Sequence, residues 1–371
     1  GADGTNKMWL PIWSGEVLHA YDQYKSFDPM VTSKTIASGR SMEFPITGTV
    51  GLKTAWGAGE YLVGGEDAAS SQFSVELDAR PMAAHFELDN IDLMITQWEY
   101  RQELARQAGQ TLANARDKQV ASFIAGAAVV STITDDPRTL ALPEVGQLST
   151  SADDAERALE VLENIEDFVV ECQENSVPVG SAYCAVTPKM FQQIRRLGVA
   201  ESATPNTASN MQPMFGGVAS AGGLGESFQN GLNSMDDKLV YMGVTICKSN
   251  HLPNKDYKTN AVDNIGEARY NVNGLAANSL VRALIWMPEA VASLRKTGLV
   301  VDTEDDIRRN TTFTVASMMS GTGILKPELA KIVVTAAATA ADNDTRLEVG
   351  MALTGAANAA AVDTFFGYEK S

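Results

Sequence analysis

The segment from residue 294 to residue 334 constrains the fold most, because β-rich runs in it alternate with acidic and turn-forming positions. Residues 299–301 and 311–318 are rich in β-branched and aromatic side chains, which favour strands. Residues 302–306 lie between these runs and hold four acids in five positions, which suits solvent better than a core. The pattern predicts a strand, an acidic turn and a second strand.

The same segment then contains residues that end a strand. Gly321 and Gly323 are expected to break the second strand as a glycine hinge. Pro327 allows a fresh turn, after which Ile332–Val334 predicts a third strand.

Composition describes a folded chain of more than one domain. At 371 residues, a prior of one domain per roughly 150 residues gives about two domains. The chain is 44% hydrophobic and 20% charged, so it can bury a sizeable core. The formal net charge of −17 argues against a surface that grips nucleic acid by neutralising phosphates.

Cys172, Cys184 and Cys247 form no CxxC pair and are odd in number, so we expect buried free thiols. The first residues lack a basic region followed by an apolar one, so no secretory signal is predicted. No run of 18 apolar residues occurs, so no membrane span is predicted.

Residues 1–40 show little periodicity and carry scattered aromatic side chains, among them Trp9, Trp13, Tyr21 and Tyr24. Such an arm would expose apolar area unless it lay on something. It is interpreted either as a segment packed on its own domain or as an arm that crosses to a neighbouring subunit.

Residues 41–88 are predicted to form a two-stranded excursion, with strands at 41–49 and 72–88 and a glycine-rich tip between them. An isolated hairpin of this length is marginal in water and becomes stable on a partner. An ordinary hairpin with a glycine-rich loop is the alternative.

A long helix is predicted over 95–129, with Thr96 and Glu99 as a capping box. About 30 residues at ~1.5 Å each make a rod of ~45 Å. Its many small residues permit close packing against a sheet.

Residues 135–150 are loop-like and mark a candidate domain boundary. A helix then begins at Ser151, with one apolar stripe and one strongly acidic face, which is interpreted as solvated or alternatively as a surface for cations or packaged DNA. Further along, the sequence predicts a strand at 182–186, a helix at 189–197 and a strand at 238–248 with Gly243 inside it.

The sequence lacks the common enzyme motifs. The sequence contains no phosphate-binding P-loop, dinucleotide fingerprint or nucleophile elbow. His19, His85 and His251 are far apart and have no HExxH context, so neither a metal site nor a cofactor is predicted. The chain is therefore predicted not to be an enzyme.

The order of motifs resembles that of tailed-phage major capsid proteins with the Hong Kong 97-type fold, most closely those of T-seven-like short-tailed phages, possible cyanophages included. The passages that carry the resemblance span roughly residues 10–334 and are Ser14–Leu18, Ser38–Pro45, Val177, Pro178, Tyr183, Pro188, Phe191, Ile194, Gly243, Val244, Ile246, Ser249, Asn250, Leu252, Pro253, Arg308–Asn310, Gly321, Gly323, Pro327 and Glu328.

The resemblance implies an α+β fold with these parts: an N-terminal arm (1–40), an extended loop (41–88), a peripheral domain (89–150 and 291–325) with its spine helix at about 95–129, an axial domain (151–290 and 326–335), and a C-terminal extension (336–371). The extension is interpreted as an extra strand or helix on the axial domain, or as a surface for a decoration protein. Residues 199–236 are interpreted as a long loop.

The resemblance also implies a function. The chain would assemble into hexamers and pentamers of an icosahedral shell, with triangulation number seven, around double-stranded DNA that it encloses without sequence-specific binding. Partners would be other copies, a scaffolding protein, a portal and possible decoration proteins. It would reside in the virion capsid, and in the host cytoplasm during assembly. A cellular encapsulin and an unrecognised α/β enzyme are the alternatives.

The residues expected at contacts between subunits fall into three groups. They are Lys53, Trp56, Glu60, Tyr61 and Glu66 at the loop tip, Trp9, Trp13, Tyr21 and Tyr24 on the arm, and Asp305, Arg308 and Arg309 on the peripheral domain.

Overall fold

The computed structural model describes most of the chain outside the two long glycine-rich segments. The described residues are 6–47, 57–58, 70–89, 98–130, 143–148, 154–175, 177–179, 181–196, 238–254, 265–270, 272, 281–306, 308–335, 345–355 and 357–367.

The chain forms an α+β fold, as predicted. The helices are α1 (Asn6–Tyr24), α2 (Trp98–Val129), α3 (Asp154–Glu174), α4 (Pro188–Arg196), α5 (Thr345–Thr354) and α6 (Ala359–Phe365). The strands are β1 (Thr32–Thr35), β2 (Ser41–Thr47), β3 (Ser70–Glu76), β4 (Met82–Asp89), β5 (Gly146–Leu148), β6 (Tyr183–Val186), β7 (Lys238–Tyr241), β8 (Val244–Lys248), β9 (Val281–Trp286), β10 (Val291–Asp306), β11 (Thr311–Ile324) and β12 (Ala330–Thr335).

The long hairpin β10–β11 is the centre of a four-stranded sheet with the order β1-β10-β11-β4. β1 pairs in parallel with the root of β10, and β4 pairs antiparallel with β11 from Met318 to Thr311. One face of this sheet packs on α1 and α2, since Thr312, Thr314, Ala316 and Met318 are all buried.

The second sheet has six strands in the order β5-β12-β9-β6-β8-β7. Its centre is covered on both faces, because every residue of β12 is buried and β9 and β6 are nearly so. The amphipathic helix α3 covers it through the predicted stripe, in which Ala158, Leu162, Ile165 and Val169 are buried.

Helix α2 links the two sheets and confirms the predicted long helix. Its 32 residues make a rod of about 48 Å. Its C-terminal half is almost completely buried, from Val120 to Val130, and belongs to the main hydrophobic core. Its small side chains allow neighbours to approach closely, as the sequence suggested.

The N-terminal segment differs from the expectation of little regular structure, because α1 is a helix that lies across α2. A Cβ atom on Gly109 would lie 2.6 Å from the carbonyl oxygen of Val17, so the two helices cross at this glycine. Pro11 lacks one helical donor. Close packing on a partner outweighs that loss, since most helical stability in proteins comes from tertiary contacts.

The excursion β2–β3 pairs from Ser41–Glu76 to Thr47–Ser70, as predicted. The second predicted strand, 72–88, is divided, because the chain turns after Glu76 and β4 joins the other sheet. The predicted strand at 238–248 is also a hairpin. Met242 and Gly243 both have positive φ (48° and 85°), as a two-residue hairpin turn requires.

The glycines of β11 do not break the strand. A Cβ atom on Gly321 would lie 2.2 Å from the carbonyl oxygen of Glu76, and one on Gly323 would lie 2.6 Å from a methyl carbon of Val75. Strand β3 therefore crosses β11 in contact with its backbone. The acids at 302–306 likewise extend β10 rather than forming the turn, which lies after Asp306.

The C-terminal segment forms two short helices that pack on the end of α2. Phe366 contacts Phe123 edge-on, with ring centroids 5.7 Å apart. A Cβ atom on Gly126 would lie 2.7 Å from the Phe366 ring, so this aromatic side chain rests directly on the α2 backbone. The aromatic tail is thus part of the core.

Two smaller predictions concern cysteines and membranes. All three cysteines are free and buried, as expected. Among the described helices, none has the length and apolar character needed to cross a bilayer.

We predict that Gly321→Ala destabilises the fold by about 2–3 kcal/mol, because the added methyl group must separate β3 from β11. Gly298→Ala is the matched control, since no atom lies within 4 Å of that added Cβ. It should stay within about 1 kcal/mol of wild type. Urea unfolding measures both, and equal losses would contradict the crossing.

Candidate functional site

The predicted loop-tip contacts lie outside the described residues. They are Lys53, Trp56, Glu60, Tyr61 and Glu66. Trp9 and Trp13 belong to α1, but their side chains also lie outside the described part of the structure. Their roles between subunits stay predictions.

The other two arm residues rest on the chain's own helix. Tyr21 is 5% exposed and packs in a cluster with Ala105 and Leu112 of α2. The hydroxyl of Tyr24 accepts a hydrogen bond of 2.8 Å from Arg106. Tyr21 therefore has little surface left for a neighbour, and a contact made by this arm would have to use its other residues.

The hairpin tip projects two arginines into solvent. The backbone N–H of Arg308 donates to the Asp306 carboxylate at 2.9 Å, and the Arg309 guanidinium lies 3.8 Å from it. Asn310 adopts positive φ (54°), which closes the turn. The Arg309 side chain is 75% exposed, whereas the Asp305 side chain lies outside the described residues.

The root of the β2–β3 excursion is fixed by backbone hydrogen bonds on both sides. Leu77 N–H donates to the carbonyl of Arg40 at 2.8 Å, and Asp78 N–H donates to the carbonyl of Ser320 at 3.0 Å. The Leu77 side chain is 1% exposed. The excursion therefore leaves the body of the protein from an anchored base.

Asp78 is the polar centre of this anchor and is 3% exposed. Its carboxylate accepts a 2.7 Å hydrogen bond from the hydroxyl of Tyr270 and pairs with Arg269. Burial raises the pKa of Asp78 above its usual value, while hydrogen bonds from Arg269 and Tyr270 oppose the shift. Burial and the nearby carboxylate raise the pKa of Tyr270 to about 12, so its hydroxyl remains a donor.

Residues 265–270 hold this anchor against α2. The Tyr270 ring contacts the Phe123 ring in a tilted arrangement with centroids 5.1 Å apart, and Gln119 donates to the carbonyl of Ile265 at 2.7 Å. Glu267 accepts a hydrogen bond from the backbone N–H of Ala79. No sequence pattern indicates the role of this segment, because it lies between stretches without periodicity.

Arg116 of α2 is the buried cation beside this anchor and is fully inaccessible to solvent. Its guanidinium donates to Thr322 and Ser293 hydroxyls, both at 2.8 Å, and to the carbonyl of Gly321 at 3.1 Å. It also donates to Gln119 at 3.0 Å. One side chain thus joins α2 to both strands of the long hairpin at the point where β3 crosses.

The counter-charge comes from the N-terminal segment. Ser293 donates a second hydrogen bond, 2.9 Å long, to the carboxylate of Asp28, which also pairs with Arg295. Asp28 is 2% exposed. The contacts therefore run from Arg116 through Ser293 and Asp28 to Arg295, so that one carboxylate lies between two cations. We call these four residues, together with Asp78, Arg269 and Tyr270, the junction.

Asp117 fastens the same segment to α2. Its carboxylate accepts hydrogen bonds from the backbone N–H groups of Ser26, at 2.8 Å, and Phe27, at 3.1 Å. Burial raises the pKa of Asp117 to about 6, and the two backbone donors oppose the shift.

One sequence pattern does indicate that Arg116 is buried. Leu112, Arg116, Gln119 and Phe123 follow the spacing of one helix face, so two polar side chains lie on the apolar stripe. A buried arginine on such a stripe must be hydrogen-bonded.

Among the described residues, no group of histidines, cysteines and acids has metal-binding geometry.

Several phage capsids of known structure have a similar fold. The capsid of cyanophage P-SCSP1u matches with 20% identity and a TM-score of 0.61, covering 84% of this chain and 88% of that one. The mature capsid of bacteriophage PhiM1 matches with 14% identity and a TM-score of 0.62, covering 85% and 88%. Mycobacterium phage Che8 matches with 15% identity and a TM-score of 0.50, covering 84% and 90%. These similarities establish the fold.

The family model of Gp10A-like major capsid proteins matches residues 88–334. The chain belongs to this family. The match includes α2, the long hairpin and all strands of the six-stranded sheet. No relative was found among curated protein sequences.

Membership in the Gp10A-like family confirms the predicted function of a phage shell protein. This major capsid protein forms a virion shell from many copies of itself, and its fold is of the Hong Kong 97 type. The match does not favour the encapsulin alternative.

We predict that Asp117→Asn changes how stability depends on pH. Between about pH 4 and 6 the folded carboxyl holds a proton that the unfolded one has lost, so wild type loses stability as pH rises through this window. A pKa near 6 makes the loss about 3 kcal/mol. The asparagine amide has one acceptor oxygen in place of two, so it keeps one of the two backbone hydrogen bonds and lacks the titration.

Urea unfolding of both proteins from about pH 4 to 7 measures the effect, which the difference between the two proteins isolates. The stability of wild type relative to Asp117→Asn should fall up to about pH 6 and then stay level. A difference that is independent of pH would contradict the account of Asp117.

Proposed function

We propose that this major capsid protein closes an icosahedral shell of hexamers and pentamers around double-stranded DNA in a short-tailed phage. The observation that carries the proposal is the anchored excursion β2–β3. Its root is tied to the body of the protein by Leu77 and Asp78. A hairpin with a fixed base and a long distal segment suits a contact beyond its own subunit.

The two sheets correspond to two domains in this proposal. The four-stranded sheet with α1 and α2 forms the peripheral domain, and the six-stranded sheet with α3 and α4 forms the axial domain. We place the boundary before Gly146 rather than at 150, because β5 pairs in parallel with β12 of the six-stranded sheet. Residues 345–367 belong with α2 rather than with an additional strand.

Contacts between subunits come from three parts of the chain in the proposal. The excursion carries Lys53, Trp56, Glu60, Tyr61 and Glu66 to a neighbour, and α1 presents Trp9 and Trp13. The hairpin tip presents Asp305, Arg308 and Arg309. Many weak contacts then accumulate through multivalency in a closed shell.

The charge of the chain fits a container for DNA. The net charge of −17 disfavours tight binding to phosphates, so enclosed DNA is repelled by the wall and can slide during packaging. The acidic, solvent-facing side of α3, which includes Glu163 and Asp167, is the described surface that contributes most clearly.

Assembly would start in the host cytoplasm with a scaffolding protein and a portal at one vertex. Expansion of the shell would follow, with triangulation number seven and possible decoration proteins. The resemblance to T-seven-like capsid proteins supports these partners. These partners are proposed from the family resemblance alone.

Electron microscopy of purified native particles, with nuclease protection on the same sample, tests the proposal. Closed icosahedral particles that protect double-stranded DNA are expected. Closed particles that hold a cargo enzyme and no DNA would favour an encapsulin. A soluble monomer with enzymatic turnover would contradict the proposal.

We predict that Trp56→Asp prevents or destabilises shells without unfolding the subunit, because a charge would replace an apolar contact at the loop tip. Particle yield on a sucrose gradient measures assembly, and circular dichroism measures folding. Val240→Asp is a control at an exposed apolar position on β7. Wild-type yields from Trp56→Asp would remove this residue from the contact.

A further inference from the structure

The outer face of the four-stranded sheet carries a pattern that shell formation alone does not explain. Along β11, even-numbered side chains face the helices, whereas odd-numbered ones face outward. Phe313 is an aromatic side chain on this outer face and is 37% exposed. His85 lies beside it, with ring centroids 5.8 Å apart.

Strand register places acids on both sides of this column. The rows across β10, β11 and β4 are Asp306–Thr311–Asp89, Glu304–Phe313–Glu87 and Asp302–Val315–His85. Neighbours on one face of an antiparallel pair have Cβ atoms about 4.5–5.5 Å apart. The Phe313 ring therefore lies between two carboxylates, and these three described rows contain five acids and neither lysine nor arginine.

An aromatic ring between two carboxylates is suited to a cation. A guanidinium over the ring gains a cation–π interaction, and its N–H groups can donate to carboxylates at the sides. One oxygen of Glu87 already accepts a 2.7 Å hydrogen bond from the Thr311 hydroxyl, which orients the carboxylate. Glu304 is exposed on the opposite side.

The chain itself carries a matching cationic element. The formal net charge of the chain is −17, but the hairpin tip presents Arg308 and Arg309 side by side in solvent. Within one copy, Arg309 reaches only Asp306 in these rows, at 3.8 Å. Among the described residues, no cation pairs with the acids of the next row, Glu87 and Glu304, so this row can accept a cation from a second copy.

We propose that the hairpin tip of one copy docks on the outer sheet face of another, with an arginine of the pair Arg308–Arg309 over Phe313 between Glu87 and Glu304. The contact is heterologous, since the tip and the face are different surfaces, and it generates a closed ring where the rotation closes. This inference rests on the proposed assembly and adds the partner surface for the tip.

Charge reversal and exchange test the contact. The face variant is Glu87→Arg with Glu304→Arg, the tip variant is Arg308→Glu with Arg309→Glu, and the exchange variant combines all four. The control is Glu144→Arg with Glu289→Arg, which makes the same charge change at exposed positions outside α3 and outside these three rows. Particle yield is measured by sedimentation and electron microscopy, and folding by circular dichroism.

Each single-surface reversal should lower the yield of closed particles by about tenfold or more, because like charges then meet. The exchange variant should recover most of the yield, and the control should resemble wild type. Phe313→Leu keeps an apolar side chain without a ring and should cost about threefold. The losses should weaken in high salt, which screens exposed charges.

Several outcomes would overturn the inference. Wild-type yields from folded face and tip variants would do so, as would an exchange variant no better than either reversal, or a control that fails equally. If the wild-type chain itself closes no shells with its scaffold, the proposed function fails. If wild type and both reversals close shells alike, this inference alone fails.

Discussion

The guanidinium of Arg116 is a full charge held in the interior of the protein, and the surrounding structure has to satisfy it. Its donors reach two hydroxyls, an amide oxygen and a backbone carbonyl, and its counter-charge arrives from Asp28 through Ser293. Leaving a buried polar group without a hydrogen-bond partner typically costs about 1–3 kcal/mol, and more when the group is charged. The spine helix, the long hairpin and the N-terminal segment are therefore held in one arrangement.

That arrangement matters because a shell subunit must present its contact surfaces at fixed angles. Close backbone crossing at Gly321 brings β3 onto β11, and Asp78 with Tyr270 ties the turn beyond it to α2 through Phe123. The excursion thus starts from a buried base, where Leu77 is 1% exposed and Asp78 is 3% exposed. In the proposed shell, contacts at its distal end would transmit force to the junction, since packed interiors deform little.

Much of the fold was accessible from periodicity. The long helix α2 and the amphipathic helix α3 are predicted from the sequence pattern. The strands between residues 294 and 334 are predicted from their β-branched and aromatic side chains. The glycines of β11 were misread, because a glycine that admits another strand looks the same in sequence as one that ends a strand. Helix α1 was missed because packing at Gly109, rather than local propensity, stabilises it. The junction depends on side chains that are distant in sequence, such as Asp78 and Tyr270. Only the Arg116–Gln119 pair on an apolar stripe indicates it in the sequence.

Hydrogen exchange of the backbone amides at the root of the excursion tests this account most directly. The amides of Leu77 and Asp78 donate to carbonyls of the chain body, so they should exchange as slowly as those of the buried strand β9. Tyr270→Phe should speed their exchange while leaving β9 unchanged. Rapid exchange at Leu77 and Asp78 in the wild-type protein, at the rate of the hairpin tip around Arg309, would contradict an anchored root.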